Sequence, residues 1–293
     1  MADYDAYEYG LKGYGGERME PAFHIIRAIA KFLGSPVMLG FTFYALLSVT
    51  NRYVHIKKET PNLMASMLVY MSYIFVVQDM IAIRAAVASS ILLIAVNYRF
   101  NKDWLKLFIT IAIACMFHYT AAIFLVLLVT SENKPRKIFY LAILLGSYVL
   151  NLVGITLTKY IGLIGIAAIT NLLSMYDYVA EANIFNLVQI GHILICIVFW
   201  IFSDRLVSLN PKSLIYLKLY TIALCFVPLL SDMLVIAYRL SEMLLSVEVI
   251  LLPIGFYAIF KKTILKKGVI LAYSLIIFYF TMTNLQYWNP SVL

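Results

Sequence analysis

Long apolar runs, roughly 17–25 residues in the usual spanning range, recur along the chain with short polar clusters between them. They fall at 36–50, 62–79, 81–98, 138–154, 184–202, 214–231, 234–260 and 268–287. The pattern predicts an all-α polytopic fold of about eight membrane spans, forming a single transmembrane domain over 1–293. No repeat of fixed period is visible. Two stretches depart from plain spans. In "PAFHIIRAIAKFL" (21–33), Phe23, Ile26, Ala30 and Leu33 share one helical face and Arg27 and Lys31 another, which predicts a helix lying in the outer interface. The run 105–131 is interrupted by Phe117-His118-Tyr119. Each half holds about 12 residues, or about 18 Å at helical rise, short of a hydrocarbon core of about 30 Å. A short helical hairpin with His118 at its tip follows, with two thin-membrane spans as the alternative. Irregular backbone at that depth survives only when packed in protein or lining a watery cavity, so His118 should face an interior cavity open to the outside.

Composition agrees with a membrane domain: 63% of residues are hydrophobic, mean hydropathy is +0.90, and 13% are charged. A soluble domain carries about a quarter charged residues. The net charge of +8 does not point to a nucleic-acid partner, because the basic residues sit in short loops between apolar runs. One set of loops collects Arg52, Lys57, Lys58, Arg99, Lys102, Lys106, Lys134, Arg136, Lys137, Arg205, Lys212, Lys218, Lys261, Lys262, Lys266 and Lys267. That is sixteen of the 23 Lys and Arg, and the positive-inside rule assigns this face to the cytoplasm. Both chain ends then lie outside. The N-terminal "MADYDAYEYGLKGYGGERME" has no signal peptide, so one or two spans are expected to precede Met1. Cys115, Cys196 and Cys225 are scattered in apolar runs and read as small packing residues.

Five charged residues lie at the outer ends of spans: Asp79, Arg84, Asp232, Arg239 and Glu242. A charge within a span is normally paired or faces a cavity. Arg84 and Arg239 run against the positive-inside trend, and two guanidiniums there suit phosphate recognition. Structural pairing of Arg84 with Asp79, and of Arg239 with Glu242 at i+3, remains the alternative. For His118 the alternative is a core histidine bonded to a backbone carbonyl at the break. His192 and Glu248 are expected to make buried polar contacts, and His24 and His55 to be interfacial. The 22 Tyr and 18 Phe fit interfacial belts, although "MYDYVAEANIF" (175–185) and "QYWNPSVL" (286–293) could also stack on sugar rings. No Gly-rich phosphate loop, HExxH, GxSxG or DxD motif occurs, and neither a metal nor a cofactor is expected.

The segment "IRAAVASSILLIAVNYRFNKDWLKLFITIAIACMFHYTAAIFLVLL" (83–128) resembles the core of the EpsG family of polysaccharide-biosynthesis membrane proteins. The matching elements are Ile83-Arg84, the basic loop, and Phe117-His118-Tyr119-Thr120-Ala121. Upstream, "DYDAY" (3–7) and "MEPAFHIIRAIAKFLG" (19–34) are similar to the family's outer segment, and "YRLSEMLLSVEVILLP" (238–253) to its late arginine-bearing helix. Ala85 stands where relatives carry Gln, and Ala22 where they carry Gly.

The resemblance implies a Wzy-type polymerase with a glycosyltransferase-C-like architecture. Such an enzyme joins undecaprenyl-pyrophosphate-linked oligosaccharide repeat units into O-antigen, capsule or exopolysaccharide on the outer face of the bacterial plasma membrane. A chain-length regulator is a further implied partner. Catalytic roles would fall to His118, Arg84 and Arg239, and substrate contacts to Asp79, Asp232, Glu242, Tyr238 and Tyr119. A transporter or flippase of lipid-linked sugars, or a membrane O-acyltransferase centred on His118, competes with this reading. The topology has a direct check. Cysteines introduced at Ser174 and Ser291 should react with an impermeant reagent in intact cells, and one at Ser208 should not. Labelling at Ser208 with Ser174 protected would invert the map.

Overall fold

A computed structural model describes residues 2–14, 19–132, 135–157 and 183–287, and these are helical with no strand. The helices are α1 (Ala2–Lys12), α2 (Pro21–Phe32), α3 (Pro36–Glu59), α4 (Leu63–Val69), α5 (Ile83–Phe100), α6 (Trp104–Phe117) and α7 (Lys137–Leu152). There follow α8 (Leu187–Ile201), α9 (Ser203–Leu209), α10 (Ser213–Leu229), α11 (Leu234–Leu245), α12 (Glu248–Ile259) and α13 (Thr263–Tyr287). A π-helical stretch, Tyr70–Asp79, continues α4, and a 3₁₀ stretch, Tyr119–Leu128, follows α6. Each apolar run thus became a helix, and the predicted interfacial segment became α2. The run 234–260 is the exception: it breaks between α11 and α12 with a 57° bend. A sharper bend of 77° separates α8 from α9. By length and composition, Ile83–Phe100 and Thr263–Thr283 could each cross a bilayer, and each bent pair could do so as a unit.

Position in the bundle follows from which faces are apolar. Helices α5 and α10 are buried on nearly every side, as helices apolar all round must be. Ala86, Ala88, Ser89, Ser90 and Ala95 keep α5 slim enough for α3, α6 and α11 to pack against it. The contrast with α13 is large: 67% of the α5 window is buried but only 17% of the α13 window. The outward Leu271, Leu275, Ile276 and Phe278 of α13 form the kind of surface that lipid covers. Close helix contacts also need small residues elsewhere. A Cβ at Gly255 would run into the Phe199 ring, and one at Gly40 into Leu11, which anchors α1. Pro228 inside α10 cannot bond the Leu224 carbonyl; Gln189 Nε2 from α8 donates to that carbonyl instead, at 3.4 Å.

The expected hairpin is present, with unequal arms. Helix α6 has 14 residues and the 3₁₀ arm 10. At about 1.5 and 2.0 Å per residue these span about 21 and 20 Å, so both arms return to one level. Arg99 closes the base: its Nε donates to the Leu127 carbonyl at 2.8 Å, its Nη1 meets Glu132 at 3.0 Å, and its guanidinium lies 4.9 Å from the Trp104 ring centre. Lys102, in the left-handed region at φ 59°, turns the chain from α5 into α6.

The basic loops gather at this same end. Lys212 meets Glu59 at 2.5 Å and also bonds Asn97; Lys137 meets Asp204 at 2.9 Å; Lys218 donates to the Ser131 carbonyl. Arg52 departs from the sequence reading, which counted it as a loop cation. Helix α3 runs on to Glu59, and Arg52 is wholly buried, donating to Gln78 Oε1 (2.6 Å), Ser89 Oγ (2.6 Å) and the Ala86 carbonyl (3.0 Å). A long polar tail on an apolar helix looks like a loop until a partner helix supplies acceptors.

Candidate active site

His118 is the single residue between α6 and the 3₁₀ arm, with extended backbone at φ −157° and ψ 121°. Its N–H donates to the Ala114 carbonyl at 3.0 Å, and its carbonyl accepts from Ala121 N at 2.9 Å. The break is therefore satisfied by its own flanks, and the imidazole is not needed there. Its partner lies 98 positions away: Nδ1 is 2.8 Å from Glu20 Oε1. The alternative of a core histidine bonded to a backbone carbonyl at the break does not form. An ionised carboxylate only accepts, so Nδ1 carries the proton shared with Glu20 and Nε2 stands outside this hydrogen bond.

Glu20 immediately precedes α2, whose first residue, Pro21, suits a helix start. The carboxylate is 3% exposed and divided between two partners. Oε1 takes His118; Oε2 takes the Arg84 guanidinium from the first turn of α5. Removing a carboxylate from water is costly unless it is paired and bonded in this way. Burial pushes the Glu20 carboxyl up, but the bond from His118 and the charge of Arg84 outweigh it and hold it below its ordinary value. Arg84 also stands over the Tyr7 ring of α1, 5.2 Å from its centre. Its Nε is buried with no acceptor among the described residues. Four segments thus meet: α1, the start of α2, α5 and the hairpin tip.

The expected pairing of Arg84 with Asp79 does not form. Asp79 accepts from Tyr70 Oη at 2.9 Å and lies 3.6 Å from Arg52 Nε, within the buried cluster around Arg52. Nor does Arg239 pair with Glu242. Glu242 accepts from Tyr73 Oη at 2.5 Å, and Gln78 Nε2 donates to the Glu242 carbonyl at 3.2 Å. Arg239 is exposed and makes no hydrogen bond or ion pair among the described residues. Helix α11 packs against α5, which carries Arg84, and against the 3₁₀ arm that follows His118. Asp232 is exposed and accepts from Thr156 Oγ1 at 2.9 Å. Tyr119 is exposed beside His118, and Tyr238 precedes Arg239, half-exposed. Most of the 175–185 loop and of the tail, the proposed sugar-stacking surfaces, lie outside the described residues.

His192 and Glu248 do make buried polar contacts: His192 Nδ1 is 2.8 Å from both Tyr220 Oη and Glu248 Oε1. The residue that sequence reasoning left out of the site is Glu20, with Tyr7 behind it. The available signal was an acidic residue directly before the proline that opens an amphipathic helix.

The EpsG family model matches residues 1–291. The chain belongs to the EpsG family. It is thus a helical membrane protein of polysaccharide biosynthesis. No curated protein and no solved structure matches the chain. The segments that carried the EpsG resemblance, Ile83-Arg84, Phe117 to Ala121 and the outer stretches 3–7 and 19–34, contain Arg84, His118, Tyr7 and Glu20, which come together here.

Glu20 makes the assembly sensitive to acid. A carboxyl held below its ordinary value contributes stability that is present above that value, 4.5, and lost as pH falls through its folded value. Glu20→Gln should lower the thermal unfolding midpoint at neutral pH, and its gap to the unaltered protein should close progressively below pH 4.5. A gap constant from pH 7 to 3 would contradict an ionised, paired Glu20.

Proposed function

We propose that this EpsG-family chain is a glycosyltransferase that polymerises lipid-linked oligosaccharide repeat units at the outer face of the plasma membrane. The observation that carries the reading is the buried Glu20 carboxylate holding a histidine on one oxygen and an arginine on the other. One arm of that arrangement is a proton acceptor with its tautomer fixed. The other is a cation.

In the proposed step the donor is a glycan chain on undecaprenyl pyrophosphate and the acceptor a single lipid-linked repeat unit. A hydroxyl oxygen of the acceptor attacks the anomeric carbon of the donor. The bond from that carbon to the phosphate oxygen breaks, and undecaprenyl pyrophosphate leaves with the electron pair. His118 Nε2 takes the hydroxyl proton as the new glycosidic bond forms. Glu20 stabilises the resulting imidazolium through Nδ1. Arg84, with an Nε donor left over, and the exposed Arg239 balance charge developing on the pyrophosphate. Tyr119, Tyr238, Asp232 and Glu242 are the proposed sugar contacts. The bundle is proposed to have about eight spans and to share the multispan architecture of glycosyltransferases that use lipid phosphosugars, with its basic loops in the cytoplasm.

Discontinuous helices are also a feature of transporters, but there they occur at corresponding positions of two repeats. Here, among the described residues, the two bent pairs lie between residues 187 and 259, and the break at His118 differs from them in joining an α-helix to a 3₁₀ arm. An acyltransferase drawing acyl groups from the cytoplasm would need its histidine at the basic end, whereas Arg99 and Glu132 mark that end as the hairpin base.

His118→Gln keeps a hydrogen-bonding group toward Glu20 but cannot accept a proton at neutral pH. Protein level should hold, polymer should fall by about 10²–10⁴-fold in rate, and lipid-linked single units should accumulate. Full-length polymer from this variant would end the base assignment. Arg84→Lys tests the cation separately: a point charge cannot reproduce the guanidinium's fork of donors, so most activity should go while the protein stays inserted. Normal polymer yield and length would leave Arg84 as a purely structural partner of Glu20.

A further inference from the structure

Helix α2 carries three distinct faces. Ala22, Phe23, Ile26 and Ala30 are buried against the bundle. Ile25, Ile29 and Phe32 form a second stripe that is apolar yet uncovered, at 52%, 47% and 89% exposure. His24, Arg27 and Lys31 form the third, and with Lys12 from the end of α1 they line a cavity of about 310 Å³. That volume is at the small end of ligand sites. We infer that this cavity binds the phosphate headgroup of a membrane lipid whose hydrocarbon lies along Ile25, Ile29 and Phe32.

The groups in the cavity are arranged for an anion and not for each other. Arg27 Nη1 reaches the Gly10 carbonyl at 3.4 Å, which ties α1 to α2 and uses one of its donors. Lys12 lies 2.6 Å from Glu8, one turn back on the same helix, where Lys12 is exposed, Glu8 is half-buried and the pair is weak. Lys31 makes no hydrogen bond or ion pair among the described residues. Among the described residues, these three cations have one ion-paired carboxylate between them, Glu8. An inorganic anion alone would leave the adjoining apolar stripe unexplained. An apolar stripe alone would leave the cations unexplained. A lipid with a phosphate head accounts for both, as on helices that lie in a membrane interface with apolar and basic faces side by side. The site is separate from the Glu20 group. Glu20 lies before α2, and its side chain engages His118 and Arg84, neither of which lines the cavity.

The test uses the purified full chain and native mass spectrometry, with phosphatidylglycerol, phosphatidylcholine and sodium phosphate as probes. It reads lipid retention, so it stands whether or not the chain is a polymerase. Phosphatidylglycerol should be retained well above phosphatidylcholine. The triple variant Lys12→Gln, Arg27→Gln, Lys31→Gln should lower that retention at least tenfold, taking about fivefold for each charge removed near a lipid surface. Arg27→Lys with Lys31→Arg should preserve it. Ile25→Ser with Ile29→Ser should weaken phosphatidylglycerol retention. Retention unchanged in the triple variant would overturn the site. Displacement of the lipid by equimolar sodium phosphate would overturn the lipid assignment in favour of a free anion. Should the triple variant elute abnormally, Lys31→Gln alone decides, because its ammonium makes no hydrogen bond or ion pair among the described residues: a fivefold loss supports the site and no loss refutes it.

Discussion

A carboxylate removed from water must be matched by donors, and Glu20 is matched from two distant parts of the chain at once. His118 comes from the hairpin tip and Arg84 from the first turn of α5. None of the three is comfortable without the others. Arg84 would be a largely buried cation with only the Tyr7 ring beside it, and the imidazole would lose the bond that fixes its tautomer. The N-terminal segment, α5 and the hairpin are therefore joined at a point defined by charge, where apolar packing alone would have allowed sliding. The same restraint that orders these segments also selects Nε2 as the free nitrogen.

The opposite end of the bundle is held differently. There the basic residues find acidic partners and backbone carbonyls across loops: Lys212 with Glu59, Arg99 with Glu132 and the Leu127 carbonyl. Arg99 sits at the root of the hairpin whose tip is His118, so α5 holds the root directly and the tip through Arg84 and Glu20. Between the two, a third arginine, Arg52, is wholly enclosed with Gln78, Ser89 and Asp79. Through Gln78 that cluster touches the Glu242 carbonyl just before the α11–α12 bend.

Much of this was legible in the chain, because long apolar runs and basic loops are properties of local sequence. The helices of the apolar runs, the amphipathic helix over 21–32 and the hairpin at 105–131 all follow from run length and interruption. His118 and Arg84 stood out because a polar residue in an apolar run is rare enough to notice. Their partner did not, since Glu20 lies in a polar stretch where its only local mark is the proline that follows it, and pairing over 98 positions has no period. Arg52 was misread for the opposite reason. Thr50, Asn51, His55, Lys57 and Lys58 surround it, and such a cluster looks like a loop although α3 continues through it. The bend at Ser246–Val247 is also silent in hydropathy, because both sides of it are apolar.

The 3₁₀ arm is unusually long for its kind, and 3₁₀ hydrogen bonds are poorer than those of an α-helix. Its ten residues would lose about 5 Å of length if they relaxed to α-helical pitch. With Arg99 fixing the base, that contraction would fall on the tip and draw His118 away from Glu20. The pitch of the arm and the reach of His118 to Glu20 are therefore geometrically linked.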